Sequence, residues 1–303
     1  MAAAPEYGKR HASLETVLDT ASGLERVCTG FVFTEGPLWD PADQSLLFSD
    51  IPANRIWRWK EGGPARIFRE PSGKSNGLTW DLDGNLTACE HLNRRVSRTR
   101  PDGVVETLVS THDERRLNSP NDLIYRSDGL LLFTDPPYGI QLPDFGALAD
   151  SEQPVNGLYA VRPGADETEL ICGDFDRPNG LALSPDEQVL YVADTPRYHV
   201  RRFNMQPDGT LSGGEVFLQL SEEQGVGRPD GMKTDVAGHL YTTGPGGLWI
   251  VAPDGTVLAQ ILFPERTANC GWGDDGHSLF VTASNSVYRL RTRARGCALP
   301  RRA

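Results

Sequence analysis

A short motif that recurs six times constrains this chain more than any other feature. Each copy begins with Asn, Asp or Glu, usually followed by Gly, and continues with an alternating strand, a tight turn and a second apolar strand. Self-similarity over roughly 40–50 residues indicates a repeat architecture in which each copy is one structural unit. The first residues of the six copies, which we call the anchors, are Glu35, Asn76, Asn121, Asn179, Asp230 and Asn269.

Each copy also contains further strand-like segments. A third follows every hairpin, and a fourth follows in copies one to five, such as TELICGD in copy three. Four antiparallel strands per repeat are typical of a β-propeller blade. Because copy six lacks a fourth strand, we expect residues 15–33 to supply its outer strand and close the ring. The sequence therefore predicts an all-β, six-bladed β-propeller that forms one domain over residues 1–303, with residues 1–14 as an N-terminal arm.

Composition and charge narrow the classes of function. Thirty Lys and Arg against 41 Asp and Glu give a net charge of -11, and no basic run could follow a phosphate backbone, so we expect no nucleic-acid partner. The sequence contains no apolar stretch of about 18 residues, so it predicts no membrane span. Five scattered cysteines without a Cys-x-x-Cys pair are typical of free thiols. Since the sequence starts without an apolar signal core, we expect a soluble, cytoplasmic protein.

The anchors share a chemistry as well as a position. Corresponding residues of repeated blades lie at the same height, so the anchors should surround one mouth of the central channel. All six carry side-chain oxygens, and only Glu35 and Asp230 are charged. Two carboxylates balance one divalent cation and amide oxygens complete its coordination, which favours Ca²⁺, with Mg²⁺ or Mn²⁺ as alternatives, over Zn²⁺. The alternative is that the anchors only satisfy backbone groups of the loops.

Other residues should lie at the same mouth. The second strand of four copies returns to it and ends on an acid, at Asp50, Glu90, Asp135 and Asp194. His91 is either a site residue or a hydrogen-bonded rim residue. Residues 139–156 leave from this face as either a lid over the site or a tolerated surface loop. Ser75 matches the string G-x-S-x-G, but a strand follows where a nucleophile elbow needs a helix, so we expect no serine nucleophile.

The motifs resemble those of the senescence marker protein, gluconolactonase and luciferin-regenerating enzyme family of six-bladed propellers. The resemblance extends over nearly the whole chain, through FTEGPLWD, SPNDL, FTDPPYG, RPNGL, RPDGM and FVTAS. The FTDPPYG stretch and the CEH of copy two look most like the bacterial gluconolactonase branch. The combination of motifs is specific, whereas each one alone is weak.

The resemblance also implies a set of site residues. In that family four residues hold one divalent metal, and by motif they correspond to Glu35, Asn121, Asn179 and Asp230. The resemblance leaves Asn76 and Asn269 outside the metal ligands and makes Asp230 the candidate proton acceptor. Direct attack of Asp230 on the substrate and a role in metal binding alone are the alternatives. Some sugar-lactone hydrolases of the family have Arg two residues before the third anchor, where this chain has Ser119. Residues expected to contact substrate are Asn121, Ser119, Asn76, Glu90, His91 and Tyr138.

The leading hypothesis is a metal-dependent lactonase that opens an aldonolactone such as gluconolactone. In this mechanism a divalent cation polarises the carbonyl group and a carboxylate accepts a proton from water. The first alternative is a phosphotriesterase of the diisopropyl-fluorophosphatase type, which would use the same oxygen ligands. The second is a non-catalytic propeller that binds a partner, for which aromatic or basic anchors would be expected.

Overall fold

The computed structural model describes residues 4–299. Its strands follow the six repeats. Before the first repeat the chain forms β1 (Glu6–Arg10), the one-turn helix α1 (Leu14–Val17) and β2 (Leu24–Thr29). Blade one contains β3 (Thr34–Asp40), β4 (Ser45–Asp50), β5 (Arg55–Trp59) and β6 (Arg66–Arg69). Blade two contains β7 (Ser75–Trp80), β8 (Leu86–Glu90), β9 (Arg95–Thr99) and β10 (Val105–Val109), and a small hairpin of β11 (Thr111–His112) and β12 (Arg115–Arg116) follows it.

The remaining blades repeat the same antiparallel order. Blade three contains β13 (Leu123–Tyr125), β14 (Leu131–Asp135), the short helix α2 (Tyr138–Gln141), β15 (Asn156–Val161) and β16 (Glu169–Phe175). Blade four contains β17 (Pro178–Leu183), β18 (Val189–Asp194), β19 (His199–Met205) and β20 (Leu211–Gln219), and a 3-10 turn (Glu222–Gln224) follows. Blade five contains β21 (Met232–Thr234), β22 (Leu240–Gly244), β23 (Gly247–Val251) and β24 (Val257–Leu262). Blade six contains β25 (Thr267–Gly273), β26 (Ser278–Ala283) and β27 (Ser286–Arg291).

The ring closes as the repeat predicts. The innermost strands β3, β7, β13, β17, β21 and β25 contact one another in chain order, and β25 returns to β3. Strand β2 pairs antiparallel with β27 and forms the outer strand of blade six. The prediction of an all-β, six-bladed propeller is confirmed. Between residues 4 and 299, no helix has the length and apolar character needed to cross a membrane.

The N-terminal segment takes part in two blades. Strand β1 pairs with β24, so blade five has five strands. Helix α1 places Leu14 and Val17 in the apolar cluster between blades five and six, where both are almost fully buried. The described part of the predicted arm is therefore packed on the propeller. The first three and last four residues of the predicted domain lie outside the described residues.

The hydrophobic core consists of six clusters in the described part of the chain, one at each interface between neighbouring blades. Successive side chains of a strand point to opposite faces of its sheet. In β4, Leu46 and Phe48 therefore pack against blade six, whereas Leu47 packs against blade two. Because both faces of a blade are buried, its second strand is apolar at consecutive positions, and each large side chain contributes roughly 1.5–3 kcal/mol on burial.

The glycine after an anchor brings neighbouring blades together at the centre. A Cβ atom added to Gly36 would lie 2.3 Å from the carbonyl oxygen of Asn76, the next anchor. A Cβ atom at Gly180 would lie 2.2 Å from the carbonyl oxygen of Asp230, again the next anchor. Only glycine permits such a close approach of two backbones. The same packing therefore brings the anchors of neighbouring blades together.

The interface between blades six and one offers a test of this packing. A Cβ atom at Gly271 would lie 2.3 Å from the carbonyl oxygen of Pro37. We expect Gly271→Ala to lower the free energy of unfolding by about 1–3 kcal/mol, the usual cost of overpacking, as measured by urea denaturation. Gly63→Ala is the control, because the nearest neighbouring atom is 3.7 Å away and its φ is not positive. Equal losses in the two variants would show that blade approach does not require this glycine.

Candidate active site

A cavity of about 500 Å³ opens at the mouth where the anchors converge. Each anchor that lines this cavity has at most 7% of its surface exposed. The sixth anchor, Asn269, does not line the cavity, and its Nδ2 atom donates a hydrogen bond to Oε2 of Glu35 at 2.9 Å. The five lining anchors are Glu35, Asn76, Asn121, Asn179 and Asp230.

Two buried carboxyl groups of the cavity have raised pKa values. Glu35 and Asp230 make no ion pair with any residue between 4 and 299. Burial, together with the negative charge of Asp122, raises the pKa of Glu35 to about 7. Burial and the charge of Glu35 raise the pKa of Asp230 well above its ordinary range. Because these acids resist ionising side by side, a bound cation would relieve an electrostatic cost that the fold itself imposes.

Sequence reasoning missed a third carboxyl group, Asp122. It follows the anchor Asn121 at the position where four other copies have glycine, and it is only 3% exposed. Its Oδ2 atom accepts a hydrogen bond from Nδ2 of Asn269 at 3.3 Å. Burial raises the pKa of Asp122, and the positive charge of Lys233 partly offsets this rise. The signal in the sequence was the residue after the anchor, which is Gly in four copies, Cys in copy six and an acid in copy three alone.

The acids that end the second strands brace the loops that lead to the anchors. Asp50 accepts a hydrogen bond from the backbone N–H of Phe33 at 3.1 Å. Asp194 accepts one from the backbone N–H of Arg177, also at 3.1 Å. Each of these donors stands two residues before its anchor. Both acids lie on the predicted face, but they orient the backbone rather than line the cavity.

Glu90 differs from the other strand-end acids because it binds two arginines. Its two carboxylate oxygens lie 2.7 Å from Arg69 and 2.7 Å from Arg95. Burial alone would raise the pKa of Glu90, but these hydrogen bonds and charges lower it. Glu90 does not line the cavity. The structure thus gives it a role between blades one and two, and a direct contact with substrate stays a prediction.

Ser119 also lies outside the cavity lining. Its hydroxyl group donates to the carbonyl oxygen of Pro136 at 2.5 Å and accepts a hydrogen bond from the backbone N–H of Gly139 at 2.8 Å. Ser119 thereby fastens the start of the insertion to the loop before Asn121. A contact between Ser119 and substrate stays a prediction. The hydrogen bonds that the structure shows help to position Asn121.

The insertion at residues 139–156 forms part of the cavity wall. Leu142 and Phe145 line the cavity, and the ring of Phe145 packs edge-on against Phe33 with 5.2 Å between centroids. The Nζ atom of Lys74 donates a hydrogen bond to the carbonyl oxygen of Pro143 at 3.4 Å. The first half of the insertion therefore forms one side of the cavity, whereas a role as a lid stays a prediction.

Three other predicted site residues line the cavity: Asn76, His91 and Tyr138. The Nε2 atom of His91 lies 3.3 Å from Nδ2 of Asn76. Burial lowers the pKa of His91 to about 4, so its imidazole is neutral near pH 7 and Nε2 can accept this hydrogen bond. Burial raises the pKa of Tyr138 to about 12, so its phenol keeps its proton. The cavity thus combines two acidic anchors with neutral polar groups that suit hydroxyl groups of a ligand.

Comparison with known proteins identifies the family of this propeller. Residues 33–285 match the family described as SMP-30/Gluconolactonase/LRE-like region. The chain belongs to this family. A gluconolactonase of Zymomonas mobilis is 34% identical over 305 residues, covering 93% of this chain and 85% of the relative. The solved structure of a gluconolactonase from Xanthomonas campestris has a TM-score of 0.88 at 32% identity, covering 96% of this chain and 95% of that one.

More distant members of the SMP-30/gluconolactonase family match over most of the chain as well. A regucalcin of Bos taurus is 25% identical over 256 residues, covering 82% of each protein. The resemblance predicted from the repeated motifs is therefore confirmed.

The acids at the centre predict a pH dependence of stability in chelator-treated protein. The pKa of Glu35 rises from its ordinary 4.5 to about 7 on folding, so the unfolded chain loses this proton first as pH increases. Stability of the parent should therefore fall relative to Glu35→Gln between about pH 4.5 and 7, by up to roughly 3 kcal/mol. Urea denaturation at several pH values measures the difference.

His91 does not affect this comparison, because both proteins contain it. Its lowered pKa acts in the opposite direction below about pH 6.5, and its contribution cancels in the difference between parent and variant. If the free energies of unfolding of the two proteins changed in parallel with pH, the raised pKa of Glu35 would be contradicted.

Proposed function

We propose that the protein is a lactonase that opens a sugar lactone of the gluconolactone type with the help of one divalent cation. The observation that carries the proposal is the convergence of Glu35, Asn121, Asn179 and Asp230 on one cavity. Relatives named gluconolactonase that match over more than nine-tenths of the chain support the reaction and the substrate class.

The four anchors Glu35, Asn121, Asn179 and Asp230 would hold the cation. Their donor set fits an oxygen-ligated ion, because two buried carboxyl groups lack an ion pair and the Asn121 side chain makes no hydrogen bond to any described residue. Ca²⁺ suits these ligands best, Mg²⁺ or Mn²⁺ are alternatives, and Zn²⁺ suits them less. When bound, the cation supplies Lewis-acid polarisation of the lactone carbonyl group.

Asp230 is the proposed acceptor of the proton from the attacking water. As the proton moves to Asp230, the water oxygen bonds to the carbonyl carbon. The bond from that carbon to the ring oxygen then breaks, and the ring oxygen takes the proton back from Asp230. Burial raises the pKa of Asp230, whereas the charge of Arg266 lowers it. A bound cation that keeps Asp230 ionised would also weaken it as a base, so a role in cation binding alone is the alternative.

Neighbouring groups would position the lactone and exclude water. Asn76 and His91 form a hydrogen-bonded pair on one side of the cavity, and Tyr138 offers a neutral phenol. We infer that these groups and Asn121 contact substrate hydroxyl groups. Phe33 lines the same cavity and supplies apolar wall. Fixed contacts of this kind hold the reacting atoms in place, which removes much of the entropic cost of reaction.

Asp230→Asn should lose nearly all lactone hydrolysis, because the substitution removes both a charge and the proton acceptor. Turnover of glucono-1,5-lactone, measured with increasing divalent metal, separates the two effects. We expect no recovery at saturating metal if Asp230 is the base. Restored turnover would show that Asp230 only binds the cation.

Ser75→Ala is the matched control for the Asp230 variant. The Ser75 hydroxyl lies 2.9 Å from that of Ser49 and does not line the cavity, so hydrolysis should be retained. An inactive variant with intact metal binding would instead favour a serine nucleophile. Phosphotriesters tested beside the lactones, with and without chelator, would reveal the alternative enzyme.

Glu35→Gln should weaken cation binding strongly, because one of the two proposed charged ligands is lost. Calorimetric titration of the metal-free protein with Ca²⁺, Mg²⁺ and Mn²⁺ measures this effect and ranks the ions. Glu90→Gln is the control, since Glu90 is a buried acid of the same mouth that binds arginines instead. Equal affinity of parent and Glu35→Gln would contradict the ligand assignment.

A further inference from the structure

The rim of the cavity holds three arginines that form no ion-pair contact within the described part of the chain. Arg177, Arg228 and Arg266 line the cavity, and none of them makes an ion pair with any residue in the range 4–299. Acids outnumber bases in the chain, with a net charge of -11. A shortage of carboxyl groups therefore does not explain why these three arginines are unpaired. Three unpaired guanidinium groups at one opening point to a negative charge supplied by a ligand.

Aromatic rings hold these guanidinium groups in place. The distances from the guanidinium carbon to the ring centroid are 5.5 Å for Arg177 over Tyr138, 4.7 Å for Arg228 over Tyr198 and 5.8 Å for Arg266 over Phe33. A guanidinium that stacks on a ring keeps its N–H groups available in its own plane. The arginines are thus ordered without the use of their hydrogen-bond donors.

The repeat explains why the charges share one rim. Arg177 and Arg228 each stand two residues before an anchor, and Arg266 stands three residues before the anchor of blade six. The equivalent positions of blades two and three hold Lys74, which is bonded to the insertion, and the buried Ser119. Positive charge available to a ligand is therefore concentrated over blades four to six.

We propose that the lactone substrate carries an oxyanion substituent, such as a phosphate, sulfonate or carboxylate group, which Arg177, Arg228 and Arg266 bind. Guanidinium forks match the paired oxygens of such groups and form charge-assisted hydrogen bonds to them. Asp176 lines the exposed rim, and Glu35 and Asp230 line the buried part of the same cavity. The proposed cation would balance these two buried carboxyl groups, which leaves three positive charges and one acid at the rim. The identity of the ligand as a lactone rests on the proposed lactonase function, whereas binding of its anionic group can be measured without turnover.

A charge effect on the acids must be separated from recognition of substrate. Arg266 lowers the pKa of Asp230, so its loss could change the rate with any lactone. An effect of that kind would be equal for charged and neutral lactones. The informative quantity is therefore the ratio of kcat/KM for an anionic lactone to kcat/KM for the neutral one.

The first experiment compares glucono-1,5-lactone with lactones that carry phosphate, sulfonate or carboxylate at C6. We expect the parent to prefer at least one anionic form by roughly tenfold or more, the effect of a charged hydrogen bond. Arg177→Gln and Arg228→Gln should each reduce that ratio severalfold, mainly through KM. Arg66→Gln is the control, because Arg66 is exposed on β6, away from the cavity. The preferred C6 group identifies the oxyanion.

The second experiment measures binding without turnover. Calorimetry with 1,5-anhydroglucitol 6-phosphate and with 1,5-anhydroglucitol, which have no lactone bond, should show tighter binding of the phosphate form. That difference in affinity should disappear in the double variant Arg177→Gln/Arg228→Gln and persist in Arg66→Gln.

The outcomes separate the two proposals. Hydrolysis of neutral and anionic lactones at equal rates, with equal binding of the two analogues, would overturn the anion inference and leave the lactonase function standing. Arginine-dependent binding of the phosphate form by a protein that hydrolyses no lactone would support anion recognition and overturn the lactonase function.

Discussion

The close approach of neighbouring inner strands determines what the centre of this propeller can contain. Where a glycine follows the anchor, its missing side chain makes room for the backbone of the next anchor, as between Gly180 and Asp230. The anchors are consequently packed around a narrow channel. Blade three departs from this rule, because Asp122 replaces the glycine and adds a buried carboxyl group. The same crowding thus creates the cavity and its electrostatic character.

Charge is arranged by depth in the cavity. Glu35 and Asp230 are buried among the anchors. Burial and the charge of Asp122 raise the pKa of Glu35, whereas burial and the charge of Glu35 raise the pKa of Asp230. The unpaired guanidinium groups lie around the opening, with Arg177 and Arg228 as examples. A ligand would match this arrangement if its carbonyl group reached the proposed cation among the buried acids and its negative group reached the arginines at the rim. The arrangement distinguishes the two ends of a bound molecule.

Supporting bonds keep the mouth rigid. Asp50 and Asp194 hold the backbone before two anchors, and Glu90 links two blades through its arginines. Ser119 fastens the insertion to the loop of Asn121. Residues that are supported in this way can keep a reactive geometry within narrow limits. Several polar residues at the mouth therefore serve the site through the backbone.

The sequence alone determined the number of blades, the closing strand before the first repeat and the common height of the anchors. These properties follow from register, because equivalent positions of a repeat occupy equivalent positions around an axis. Sequence register alone did not reveal that β1 joins blade five or that Glu90 turns towards Arg69 and Arg95. It also did not show that Asp122 reaches the centre. Side-chain direction and pairing depend on neighbours that are distant in sequence, so only the tertiary structure decided them.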